Sequence, residues 1–417
     1  MNSSLFVKNK NTFINNSFYL YLSHFADYIL ALFLLPFIAR TIGAVEFGEI
    51  GLAQTFGLSI ILFMEFGSTL IATREVARIK ERKTKLKDFI EEITTFKIFL
   101  IPIVIITSFF MISLVPVFSS KPHYIFIVAL GSIFQGISPS WYFQGIEKMK
   151  KIALSKLIFR LASFLLIVLS IKSSNDGWII LASFSLSSIL ICIYLYYELV
   201  KKIGHIKLVR FNKSKIILKK SIPSFLVTLV PMIYQNISIV VLSFFINPIQ
   251  LGLFFGASRI HRAFNSLYSP ISQAFLPKIS LLNFRNKIKS EKVIKEYFIL
   301  ITTIGLIFFL TNYIFAENII SILLGNEFVE SKKLLRLFSF VLPLTAISNA
   351  LGRQWMIAIN KEFIFSIIQI VSSLIALILL LFLIDIFGVQ SFPISLIFYE
   401  VLIIFLILVF LIYNPNG

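Results

Sequence analysis

Cysteine and histidine are nearly missing: Cys192 is the lone thiol in 417 residues, alongside four histidines. One thiol forms no intrachain disulfide and no cysteine metal site, and so few histidines build no cluster, so no metal is expected. Asp-x-Asp occurs nowhere, and neither does a nucleotide-binding Gly-rich loop. Metal-dependent sugar transfer and ATP-driven transport by this chain alone therefore lack their usual groups, and no cofactor is expected. Charge is scarce as well, at 14% of residues, against about 25% for a typical soluble domain. The first apolar run follows Lys8 and Lys10 and ends in no small-residue cleavage site. It reads as a retained span and not a signal peptide.

What remains is apolar. Hydrophobic residues make up 58% of the chain, 46 of them Phe, and the mean hydropathy is +0.91. Crossing roughly 30 Å of hydrocarbon takes about 20 apolar helical residues. Applied along the chain, that rule predicts spans near 16–39, 47–72, 93–118, 122–146, 150–171, 177–199, 221–246, 250–281, 297–316, 334–358, 362–386 and 391–413. Backbone groups must be paired inside lipid, and these runs are too long for barrel strands, so they are helices. The expected fold is an all-α integral membrane protein of about twelve transmembrane helices.

The connections alternate in charge. One set carries Lys8 and Lys10, the cluster Arg74–Lys87, Lys148–Lys151, the run Lys201–Lys220, the cluster Arg285–Lys295, and Lys361; the other carries only Arg40, Lys121, Lys172, Lys332 and Lys333. The bias places the first set, and both termini, in the cytoplasm. The net charge of +19 is then mostly topological. Basic residues in alternate short loops suit anionic membrane lipids, and nucleic acid is not an expected partner.

An internal repeat organises the spans. Gly43–Gly48 with Ala53 opens the second span, and Asn247–Gly252 with Ala257 opens the eighth; Trp141 ends the fourth span, and Trp355 ends the tenth. Equivalent spans are six apart, so both halves share one orientation, as in parallel transporter repeats. The reading is two pseudo-symmetric six-helix bundles around a central cavity, 1–200 and 221–417, joined by a basic cytoplasmic linker at 201–220.

Ionisable residues within the spans fall on helical stripes. Lys156, Arg160, Ser163 and Ser170 share a face of the fifth span, as do Arg259, Arg262, Ser266, Ser269 and Gln273 of the eighth. Glu65 joins Gln54 and Ser68 in the second span, Asp27 joins Asn16 and Ser23 in the first, and the tenth carries Arg353. Such stripes either bond helix to helix or line water. Lys97 and Arg74, near span ends, read as side chains that snorkel to the interface. Lys156, Arg160, Arg259, Arg262, Gln273 and Arg353 are the candidate substrate-binding residues of an aqueous cavity. A cationic lining selects an anion, and arginine favours phosphate by bidentate hydrogen bonds. Asp27 and Glu65 are either ion-pair partners of those cations or carboxylates that couple transport to an ion. His24, one turn before Asp27, His261, between two arginines on another face, and Glu400, alone in the last span, receive no role.

Several stretches resemble the polysaccharide-export family of O-antigen flippases, within the superfamily that also holds multidrug exporters and the lipid II flippase. They are Pro36-Phe-Ile-Ala-Arg40 with Gly43 and Phe47-Gly48; Glu65-Phe-Gly67 followed by Ala72–Ala77; Pro139-Ser-Trp141 with Phe143–Lys150; Ser269–Gln273 with Pro277; and Leu324-Gly325 with Phe328, Ser348-Asn349 and Gly352. The resemblance implies two bundles flanking a V-shaped cavity that opens to either side in turn. It implies no enzyme activity and an undecaprenyl-diphosphate-linked oligosaccharide as cargo, moved to the outer leaflet of the bacterial inner membrane. A polysaccharide polymerase and a chain-length regulator are the implied partners. Ser258-Arg-Ile-His-Arg262 departs from the pattern by adding positive charge. The competing functions are an organic-cation antiporter of the same fold, which would want an anionic or aromatic cavity, and a membrane-bound polymerase, which usually needs a large outside loop or an acidic motif.

Overall fold

The computed structural model describes residues 3–210, 217, 221–222, 225, 234–272, 275, 279, 287–356, 359 and 361–413, with backbone alone for 3–18, 20–32, 70, 287 and 288. Every regular element among them is helical. Eight intervals of the described residues are long and apolar enough to cross a membrane, and one of these, Glu362–Tyr413, holds two helices. The chain is an all-α, multi-pass membrane protein. It divides into two compact units, Met1–Phe37 with Leu52–Leu229, and Ile38–Gly51 with Val230–Gly417.

In the first unit α1 (Ser3–Glu65) gives way at Phe66 and Gly67, both left-handed, to α2 (Ser68–Ile79). The expected second span, 47–72, therefore ends earlier. α3 (Lys83–Leu114), the short α4 (Pro116–Ser120) and α5 (Pro122–Ile137) follow. The expected fourth span is broken at Ser138 and Pro139, since proline withholds a donor, and resumes as α6 (Ser140–Gly145). α7 (Met149–Ser170) and α8 (Gly177–Ile203) complete the described spans, with α5 and α7 both packed on α8. Beyond α8 the backbone is tied to α3: Lys207 N donates to Glu91 Oε1 at 3.0 Å and Val209 N to Thr95 Oγ1 at 3.0 Å. That bond satisfies the buried carboxylate of Glu91.

The second unit comprises the helical stretch 234–242, α9 (Pro248–Ser266), α10 (Lys287–Ile314), α11 (Ala316–Leu323), α12 (Ser331–Asn349), a π-helical turn Ala350–Met356, α13 (Glu362–Phe387) and α14 (Ser391–Tyr413). α12 packs against α9, α10 and α14. α9 is not among the intervals apolar enough to span by composition, because its arginines lower its hydropathy. On α13 the exposed Leu374, Ile378, Phe382 and Ile386 recur every four residues, while Ser372, Ala376, Leu380 and Ile384 are buried. Phe382 and Ile386 are each 73% exposed. An apolar stripe facing outward is what lipid demands.

The segment 38–51 is a built-in part of this second unit. At Gly43 the backbone leaves helical geometry, with φ 76° and ψ 173°, a region open mainly to glycine. The renewed helix starts at Ala44, whose N–H donates to Glu327 Oε1 at 3.2 Å. A carboxylate there satisfies an otherwise orphaned donor and meets the positive helix end. Arg40 Nη2 does the converse, donating to the carbonyls of Ser321 at 3.2 Å and Ile322 at 2.7 Å as α11 ends. The repeat-equivalent glycines Gly48 and Gly252 are contact partners: a Cβ on Gly252 would lie 1.9 Å from Ala44 O, and one on Gly48 2.6 Å from Gly252 N. The repeat motif thus sets two backbones side by side.

Gly252→Ala is expected to force this contact apart and lower the melting temperature in detergent, at about 1–3 kcal/mol, the usual scale of overpacking. An unchanged melting temperature would refute the close approach.

Candidate functional site

Polar side chains gather around an open volume inside the second unit, in a cavity of about 380 Å³. α12 and the π-turn supply Thr345, Ser348, Asn349, Arg353 and Gln354; α13 supplies Phe365 and Gln369; α14 supplies Tyr399 and Glu400. Gln235, Asn265, Tyr268, Ser269 and Ser272 come from the earlier helices. The π-turn has a local cause and a local result. A helix wound by one extra residue per turn exposes groups a regular helix would hide, which is why such turns gather at functional sites. Gly352 lets the turn press on Phe365, whose ring lies 2.1 Å from where a Cβ would be. Arg353 is exposed and Gln354 is buried, side by side on this turn.

Glu400 is the centre of the network. It is 7% exposed, and its two oxygens accept from Thr345 Oγ1 at 2.9 Å and Ser348 Oγ at 2.6 Å. Arg353 is near enough to interact with it electrostatically. The walls are pinned by further bonds. Gln354 Nε2 donates to Ser272 O at 2.8 Å, Ser272 and Tyr297 hydroxyls meet at 2.6 Å, and Tyr268 donates to Leu342 O at 3.1 Å. Tyr399 stacks on Tyr234, centroids 5.1 Å apart, and Tyr234 meets Ser395 Oγ at 2.9 Å. These bonds fix the walls, while the buried Gln354 Oε1 has no hydrogen-bond partner among the described residues.

The residues singled out from sequence are distributed over both units. Arg353 lines the cavity, as does Ser269 of the eighth-span stripe. Arg259 does not; its guanidinium rests 4.3 Å over the Phe47 ring. Arg262 is exposed and its Nε donates to Ser258 O of its own helix at 3.4 Å. In the first unit Arg160 sits 5.4 Å over Phe184, and Glu65 interacts electrostatically with Lys97 and Lys156. The Asp27 side chain and Gln273 lie outside the described residues. Lys97 corrects an expectation. Instead of snorkelling it is 1% exposed, and its Nζ donates to Gly136 O at 2.7 Å. A bond to a backbone carbonyl and a nearby carboxylate together offset the burial of its charge. His261 stacks on Phe338, centroids 5.0 Å apart, and is a packing group.

Glu400 was visible in the sequence only as an isolated charge in the last span. Its partners, Thr345 and Ser348, sit more than fifty positions earlier on another helix, so no spacing rule joins them. Gln369 and Tyr399 carried no signal at all.

Residues 13–283 match the polysaccharide biosynthesis protein family. The chain belongs to that family. Two curated relatives span nearly the whole of it. One from Escherichia coli (strain K12), named "Putative O-antigen transporter", is 30% identical over 96% of this chain and 97% of its own length. One from Shigella dysenteriae bears the same name and is 28% identical over 94% and 98%. Among solved structures, the lipid II flippase MurJ in an inward closed conformation aligns with a TM-score of 0.72 at 18% identity, covering 97% of this chain and 93% of that one. An inward-facing multidrug resistance MATE transporter aligns at 0.67 and 15% identity, covering 93% of each. These two establish that the family member described here has the flippase and multidrug-transporter fold. With both curated relatives named as transporters, it is a membrane transporter and not an enzyme.

The Arg259–Phe47 contact is testable by a double-mutant cycle with Arg259→Gln and Phe47→Leu. The expected coupling in detergent melts is about 0.5–2 kcal/mol. A coupling indistinguishable from zero would show that the guanidinium is held by something other than the ring.

Proposed function

We propose that this protein is a flippase for undecaprenyl-diphosphate-linked oligosaccharide, carrying a surface-polysaccharide repeat unit from the cytoplasmic to the outer leaflet of the bacterial inner membrane. The observation that carries the reading is the set of guanidinium groups kept within helices that are otherwise lipid-compatible. Arg160 and Arg259 each rest on an aromatic face. A charge at membrane depth costs about 2.5–3.5 kcal/mol on insertion scales and is kept where it has a task. Guanidinium is the group best matched to a phosphate pair, by planar bidentate bonding. The two full-length relatives are named as O-antigen transporters, which supports the same cargo class.

Movement is by alternating access, with Lys156, Arg160, Arg259, Arg262 and Arg353 facing the passage. Asp27 and Glu65 either pair with these cations, as the electrostatic contact of Glu65 with Lys156 supports, or couple the movement to an ion gradient. The basic loops hold both termini in the cytoplasm and contact anionic lipids, and the polymerase and chain-length regulator act on the delivered cargo. An organic-cation antiporter would repel its cargo from arginine-lined helices, which sets that reading second.

In the native host, Arg160→Ala and Arg259→Ala are each expected to abolish surface glycan while protein remains in the membrane. Normal glycan in both, at normal protein level, would end the cationic-passage assignment. Coupling is read in vesicles: collapse of the proton or sodium gradient is expected to slow translocation several-fold, and indifference to both would remove Asp27 and Glu65 from that role.

A further inference from the structure

Within the second unit, the Glu400 cavity has a composition that fits neither a phosphate nor a metal. Of the residues around it, Arg353 and Glu400 are the charged ones, one of each sign. The lining is therefore neutral overall, and a buried carboxylate beside the space repels an anion. Among the described residues, no group of three or more His, Cys, Asp or Glu is placed to hold a metal ion.

The chemistry does fit a neutral sugar ring. A carboxylate held by Thr345 and Ser348 keeps lone pairs for further donors, since each oxygen accepts two bonds. Gln369 adds an amide donor and acceptor, and Arg353 adds donors with no acceptor. Vicinal hydroxyls, each both donor and acceptor, are the partners that satisfy such a mixture. Tyr399 and Phe365 supply aromatic surface for the ring's C–H face. At about 380 Å³ the space falls in the roughly 300–1,000 Å³ range of small-molecule sites.

We infer that this cavity is a binding site for a neutral sugar ring, with Glu400 and Gln369 as its hydroxyl-recognising residues. The inference rests on the flippase reading for its natural ligand, a sugar of the lipid-linked cargo. It reassigns Arg353 from the diphosphate to the glycan. Sugar selection is then a property of the second unit, separable from recognition of the diphosphate.

The test uses the full-length protein in lipid nanodiscs and measures binding of free neutral hexoses and N-acetylhexosamines, with inorganic pyrophosphate and sodium chloride as comparison probes. Wild type is compared with Glu400→Gln and Gln369→Ala, each first shown to be monodisperse. Glu400→Gln keeps the shape of the side chain; Gln369 lies half-exposed on α13, so Gln369→Ala guards against a folding artefact at the buried site. The expected result is saturable binding of at least one neutral sugar, weakened roughly tenfold in each variant, the scale of one lost hydrogen bond. No sugar binding in wild type overturns the inference, as does Glu400-dependent sodium binding without a sugar response. A parallel vesicle assay with lipid-linked oligosaccharide extracted from the host separates the two readings. Translocation with sugar binding that ignores both variants defeats the sugar site and leaves the flippase. Variant-sensitive sugar binding without translocation supports the site, with a free sugar as its ligand, and defeats the flippase.

Discussion

In hydrocarbon a polar group finds no water, so whatever is charged or hydrogen-bonding within a span must be answered by another group of the protein. Among the described residues the buried charges follow that demand, while several buried hydroxyls and amide oxygens, such as Ser372 Oγ and Gln354 Oε1, do not. Lys97 is answered by a carbonyl of Gly136, Glu400 by two hydroxyls, and Glu91 by the backbone of the chain after α8. Even the interruption at Gly43 obeys it, since the freed N–H of Ala44 goes to Glu327 and the last carbonyls of α11 go to Arg40. Outward faces carry no such obligation and are filled with Phe, Leu and Ile.

The same demand sorts the intramembrane charges into kinds. Some are structural, such as Lys97, buried and bonded to the carbonyl of Gly136. Others rest on an aromatic face, as Arg259 does on Phe47. Glu400 and Arg353 form a third kind, opposite charges bordering an open space whose other walls are amides, hydroxyls and tyrosines. The proposed cargo, an amphiphile with an anionic head and a neutral glycan, would use the last two kinds together.

The repeat illustrates how a weak sequence signal acquires physical meaning. Gly48 and Gly252 occupy matching places in the repeat read from the sequence, and either alone is an ordinary helix-start glycine. In the fold they lie against each other, close enough that neither tolerates a side chain. The contact also explains why Ile38–Gly51 belongs to the second unit although it lies far from it in sequence.

Much of this was legible in the linear chain. Apolar run length dictates helices because nothing else satisfies a backbone in lipid. The interruption at Gly43 falls between the first two expected spans, whereas the break at Pro139 cuts a span expected to run unbroken over 122–146. The site was only partly legible. Arg353 and Ser269 were picked out as polar groups on helical faces, and they do border the cavity; Arg259 was picked out by the same rule and lies on Phe47 instead, because periodicity assigns a face and not the neighbour across from it. Glu400 had no legible role, since its partners come from a different helix. Chain composition and helical period are properties of near neighbours and were determined by the sequence itself. Which charges meet hydroxyls, rings or open space depends on contacts between helices distant in the chain, and only the tertiary structure decided that.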